Sequence, residues 1–172
     1  MTARAPNVSA TDLAVIERQL RRTPRAVRAV AHRCECGLPD VIESAPRLPD
    51  GSPFPTFYYL TCPRAAGAVG SLEAAGVMRE MSTRLQTDDV LASAYEAAHR
   101  DYLARRDAVE RLPGDPGVGG MPTRVKCLHV LVAHSLAAGP GVNPLGDEAL
   151  AMLPSWGSAG PCVTVTSPED VP

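Results

Sequence analysis

Lysine is almost missing from this chain. Lys126 is the only one, so 16 of the 17 basic residues are arginine. With abundant Ala, Gly and Pro, that bias fits a GC-rich genome and carries no functional weight. Aromatic residues are scarce too, at 4% of 172, so Leu, Val and Ala must fill the core. No apolar run approaches the ~18 residues that a membrane-spanning helix needs. The first residues, Met1-Thr-Ala-Arg-Ala-Pro6, lack the apolar stretch of a secretory leader, and a cytoplasmic location is expected. A formal charge of -2 gives no reason to expect nucleic acid or insertion into a membrane. There is no Cys-x-x-Cys pair, so neither a zinc finger nor a thioredoxin motif is present. In a reducing compartment the five cysteines are buried apolar groups, metal ligands or reactive thiols.

Charge is unevenly placed. Residues 1–33 carry seven Arg against Asp12 and Glu17, whereas from Pro144 onward there are four acids and no base. A basic N-terminal face and an acidic end are expected.

Hydrophobic periodicity and turn residues give an α+β reading. A helix capped by Thr11 or Asp12 runs to about Arg22 and ends before Pro24. Val27–Cys34, Val41–Ser44 and Thr56–Thr61 read as three short strands. Gly37-Leu-Pro-Asp40 and the proline-rich Pro46–Pro55 turn between them, which suits a small antiparallel sheet. Pro63 then opens a helix that stops at Gly76. Further helices are expected at about 77–86, from Thr87-Asp88 to Leu112, from Pro122 to Gly139, and at about 145–153. We therefore expect a single α+β domain over residues 11–153, with about three strands and four to five helices. Residues 1–10 and 154–172 are expected to be disordered.

The chemistry concentrates in Arg124-Val-Lys-Cys-Leu-His-Val-Leu-Val-Ala-His134, an apolar helix that nevertheless carries Cys127, His129 and His134. If the helix starts at Pro122, Cys127 and His134 share a face and His129 points elsewhere. That geometry favours His134 as the partner of Cys127. Cys62, at a strand-to-helix junction, and Cys34, at a strand end two residues before Cys36, complete the donor list. A tetrahedral zinc or iron site drawn from Cys34, Cys62, Cys127 and His129 or His134, with Cys36 as an alternative ligand, is the leading expectation. Buried reduced cysteines are the plain alternative.

A second line of chemistry is a nucleophilic Cys62, its pKa lowered by the helix start, with one of the two histidines as base. Neither a phosphatase loop nor a Cys-x-x-Cys fits, because positions 68 and 65 are both Ala. Gly119 and Gly120, followed by Arg124 and Lys126, suggest an anion site before a helix, although the nucleotide P-loop pattern is not met.

Cys34–Gly37-Leu-Pro, Pro53-Phe-Pro-Thr-Phe-Tyr-Tyr-Leu-Thr-Cys-Pro63, Gly119-Gly-Met, Lys126-Cys-Leu-His129 and Asn143-Pro-Leu-Gly146 resemble the bacterial family called domain of unknown function 501 (DUF501). The resemblance covers about Val27 to Leu150 and implies a cytoplasmic protein of actinobacterial type. It also implies gene neighbours encoding a polyphosphatase-type phosphatase and a small cell-division membrane protein. An interaction or regulatory protein acting on such a partner is therefore the alternative to a metal site. The family pattern commonly has a second His two residues after the Lys-Cys-Leu-His motif. Here that position is Leu131, so a site using it would be altered.

Overall fold

The computed structural model describes residues 8–164. It has the expected α+β form, with a three-stranded antiparallel sheet in the order β1-β2-β3. The strands are β1 (Val27–Arg33), β2 (Pro39–Ser44) and β3 (Tyr58–Leu60). Six helices are present among the described residues: α1 (Ala10–Leu20), α2 (Pro63–Ala74), α3 (Val77–Arg84), α4 (Asp89–Asp107), α5 (Leu128–Ala138) and α6 (Pro144–Ala151).

Local chemistry explains most boundaries. Ser9, rather than Thr11 or Asp12, caps α1: its hydroxyl accepts from the Asp12 N–H, and the Asp12 carboxylate accepts from the Ser9 N–H. Asp12 also takes both terminal nitrogens of Arg33 at 2.9 Å, which ties the start of α1 to the end of β1. Asp88 and Asn143 cap α4 and α6. Helix α4 stops at Asp107, short of the expected Leu112. Pro113 disfavours helical backbone at Leu112. The buried Arg106 also donates to the Pro116 carbonyl at 2.6 Å, drawing the following loop back over the helix end.

Helix α5 is the centre of the molecule. Leu128, Leu131, Val132, Ala133 and His134 are all fully buried, and the helix packs on β3, α2 and α6. Gly146 of α6 lies against the Leu131 carbonyl so closely that an added Cβ would overlap it. Tyr102 of α4 reaches the sheet, where its hydroxyl accepts from the Phe57 and Tyr58 N–H groups at 2.7 and 3.1 Å.

His134 is the polar centre of this core. The Asn143 Oδ1 accepts from the Gly146 N–H, so its Nδ2 faces His134 Nδ1 at 3.2 Å as the donor. The His134 proton therefore sits on Nε2 and is donated to Asp101 Oδ2 at 2.9 Å. Tyr58 stacks on the ring and Tyr102 meets it edge-on. Burial, opposed by Asp101, holds the imidazole below its ordinary pKa of 6.5, so the neutral form fills the core.

After α6 the chain has no regular element, yet residues 153–164 lie along the body. Arg64 donates to the carbonyls of Trp156, Gly160 and Pro161, and Gln19 donates to Cys162 Sγ. From Pro154 the sequence, mostly small, polar and Pro-containing, pointed to disorder. The contacts that place the segment come from side chains far away in the chain. Residues 1–7 and 165–172, also assigned to disordered ends, lie outside the described residues.

Two outcomes test this core. Because the unfolded chain binds a proton at pH 6.5 that folded His134 resists, stability should fall as pH drops below 6.5. Asn143→Asp keeps a good helix cap but sets an acceptor against His134 Nδ1. It should cost roughly 1–3 kcal/mol at pH 8 and less at pH 5, where the ring can protonate. Urea denaturation of both proteins across this range gives the comparison, and equal pH profiles would remove the assigned tautomer.

Candidate metal centre

Helix α5 begins at Leu128, six residues after the expected Pro122. Between the two points the Arg124 and Lys126 N–H groups donate to the nearby Gly120 and Gly119 carbonyls, and the Val125 N–H donates to Ser82 Oγ of α3. The helix starts where the Glu73 carboxylate of α2 accepts the Leu128 N–H at 2.8 Å. This moves Cys127 out of the helix to its N-cap, with extended backbone at φ -153° and ψ 109°. The face shared by Cys127 and His134 therefore does not exist, and His129 is the histidine beside the thiol.

Glu73, Cys127 and His129 place one donor atom each within 4.8 Å of one another. Among the described residues this is the group of three or more metal-capable side chains that converges. The His129 Nδ1 is 3.1 Å from Glu73 Oε1, and its Nε2 is 3.1 Å from the Ala66 carbonyl oxygen. A carbonyl can only accept, so Nε2 carries hydrogen and Nδ1 is the nitrogen turned to the carboxylate and the thiol. The Cys127 side chain, with help from Glu73 and against partial burial, raises the His129 pKa to about 9. A cavity of about 570 Å³ opens beside the cluster, with Cys127, His129, Tyr59 and Thr61 on its wall. Gln19 lines it as well. The Thr61 Oγ1 and Gln19 Oε1 are buried without a hydrogen-bond partner among the described residues.

The other expected donors lie elsewhere. His134 belongs to the Asp101–Asn143 network. Cys34 ends β1, whereas Cys62 follows β3, and these are opposite edges of the sheet. Two strand spacings, ~10 Å, separate such edges, and neither thiol belongs to the converging group. Cys34 pairs with Cys36 instead, and burial pushes its thiol up to about 11. Cys62 does cap α2, as expected, and is 1% exposed. Burial pushes its pKa up to about 11, with the nearby Cys162 adding to the rise. The N–H groups of Ala65 and Arg64 only partly offset this. Desolvation thus outweighs the helix start, contrary to the lowered pKa a nucleophile would need. In the expected anion loop the Gly119 and Gly120 carbonyls accept from the Lys126 and Arg124 N–H groups, so those two N–H groups are taken within the loop. Arg124 and Lys126 are exposed.

Glu73 was not foreseen. It is the only acid in α2, in an otherwise small and apolar helix, and that isolation is the sole signal the sequence holds.

These features define an α+β protein with a Glu/Cys/His cluster at the start of a buried helix. Residues 30–151 match the family model described as Protein of unknown function (DUF501), and the chain belongs to that family. Comparison with curated proteins and with solved structures gave no match.

The raised His129 pKa has a direct consequence. Its contribution to stability is complete below the unfolded value of 6.5 and is lost as pH rises through about 9. His129→Gln should therefore flatten the alkaline limb of a stability profile while leaving the acid limb intact. Thermal melts of both proteins from pH 5 to 10 measure this, and an unchanged alkaline limb would contradict the His129–Cys127 contact.

Proposed function

We propose that this chain is a cytoplasmic metal-binding protein whose centre is Glu73, Cys127 and His129, with zinc the best-suited ion and iron second. The observation that carries the reading is the hydrogen bond from His129 Nε2 to the Ala66 carbonyl. Metal-bound histidines characteristically donate their other ring N–H to a carbonyl or carboxylate, which fixes the tautomer that offers a lone pair to the ion. Here that leaves Nδ1 aimed at a carboxylate oxygen and a thiol. One sulfur, one nitrogen and one oxygen form a borderline donor set that zinc accepts. Glu73 is held in turn by the Leu128 N–H, so two of the three donors have outer supports.

Three protein ligands would leave one position open toward the cavity. A water bound there would be acidified for attack on an ester, amide or phosphate. The raised His129 pKa fits the same picture, since a site that favours a proton on Nδ1 favours a cation. A second reading is an interaction protein acting on a phosphatase or division component. It draws on Arg21, Arg22 and Arg25, which are exposed near the end of α1.

Protein purified without an affinity tag or chelator should carry close to one zinc or iron per chain, with Cys127 resistant to thiol reagents until the metal is removed. His129→Gln and Glu73→Gln should each lose the metal while circular dichroism remains native. Below pH 9 the affinity should rise with pH, by up to about tenfold per unit for the proton displaced from His129. A folded protein that binds no more zinc than the His129→Gln variant would overturn the proposal.

A further inference from the structure

A second cavity, of about 420 Å³, lies between the sheet and the segment that follows α6. His32 of β1 and Asp40 of β2 stand side by side on its wall, with His32 Nδ1 2.7 Å from Asp40 Oδ1. Asp40 is fully buried, and its Oδ2 has no hydrogen-bond partner among the described residues. Trp156, the only tryptophan in the chain, also lines the cavity, and its Nε1 is likewise buried and unpartnered among the described residues. Leu136 of α5 and Leu150 and Leu153 of the C-terminal part supply an apolar side. Glu35 lies on the rim and accepts from the Ser155 hydroxyl at 2.9 Å. Among the described residues, no Lys or Arg lines the cavity.

A desolvated carboxylate oxygen with no donor is costly to leave as it is. The native interior normally supplies a partner for such an atom. Among the described residues lining the cavity, two carboxylates face one basic side chain, His32, which takes only Asp40 Oδ1 and leaves Oδ2 open to a cation. The indole face offers cation–π contact, its N–H calls for an acceptor, and the leucines call for an alkyl body. We propose that this cavity binds a small organic ammonium compound: a primary amine on a short branched aliphatic body that also bears an oxygen acceptor. The ammonium donates to Asp40 Oδ2, the oxygen accepts from Trp156 Nε1, and the alkyl group lies on Leu136, Leu150 and Leu153. His32, oriented by Asp40, borders the amine and leaves its Nε2 available as an acceptor. This pocket shares no lining residue with the cavity beside Glu73, Cys127 and His129, so the two proposals stand or fall separately.

Leucinol has the required shape. Isocaproate and 4-methyl-1-pentanol are the anionic and neutral controls. Trp156 emission should change in a saturable way with leucinol, with far weaker responses to the two controls, and calorimetry should give the same constant. Asp40→Asn should weaken binding about tenfold or more, the loss expected for a hydrogen bond to a charged group. Should Asp40→Asn fail to fold, Leu153→Trp, which fills the cavity from its apolar side, should abolish the calorimetric signal. The proposal is overturned if leucinol gives no saturable response, if isocaproate binds equally well, or if both variants bind as the wild type does.

Discussion

Helix α5 has no solvent face, and the rest of the fold follows from covering it. An apolar helix of this kind must be wrapped on every side. β3, α2 and α6 do so, with Gly146 permitting the closest approach. The price of enclosing a histidine there is met by giving both ring nitrogens partners. Those partners, Asp101 and Asn143, sit on the two helices α4 and α6 that flank the network. The same Asn143 caps α6, so one side chain sets a helix start and a core tautomer together.

Two histidines five residues apart on this helix are driven in opposite directions. His134 is deep and neutral, because burial outweighs Asp101. His129, in the first turn beside a thiol and a carboxylate, is raised by its hydrogen bond to Cys127, aided by Glu73, against partial burial. One element therefore contributes stability that fails in acid and stability that fails in alkali. The chemistry gathers at the helix's first turn, where backbone N–H groups are still unclaimed and Glu73 can enter to take one.

The strands and most helices were legible because their limits are local: Pro63, Gly76 and the turn at Gly37 act on their immediate neighbours. The start of α5 was not, because its N–H acceptor, Glu73, lies 55 residues away. That single displacement carried Cys127 out of the helix and exchanged His134 for His129 as its neighbour. Cys127 and His129 were in the sequence-derived donor set and do converge. Cys34 and Cys62 were in it too, but the sheet order holds them apart. The pKa of Cys62 was misjudged for a related reason. Its place at a helix start is visible in the sequence, but its enclosure by distant chain is not.

The segment after α6 is gripped mainly through its main chain. Arg64 takes three carbonyls, those of Trp156, Gly160 and Pro161, none of which depends on the side chain attached. That grip tolerates substitution along the segment except where its own side chains pack on the body, as those of Leu153, Trp156 and Cys162 do, and at Gly157, where an added Cβ would overlap Cys34 and Glu35. The family match ends at residue 151, before the segment begins, whereas Glu73, Cys127 and His129 all fall within it. One wall of the second cavity, from Leu153 to Gly157, thus stands outside the family framework that carries the Glu/Cys/His cluster.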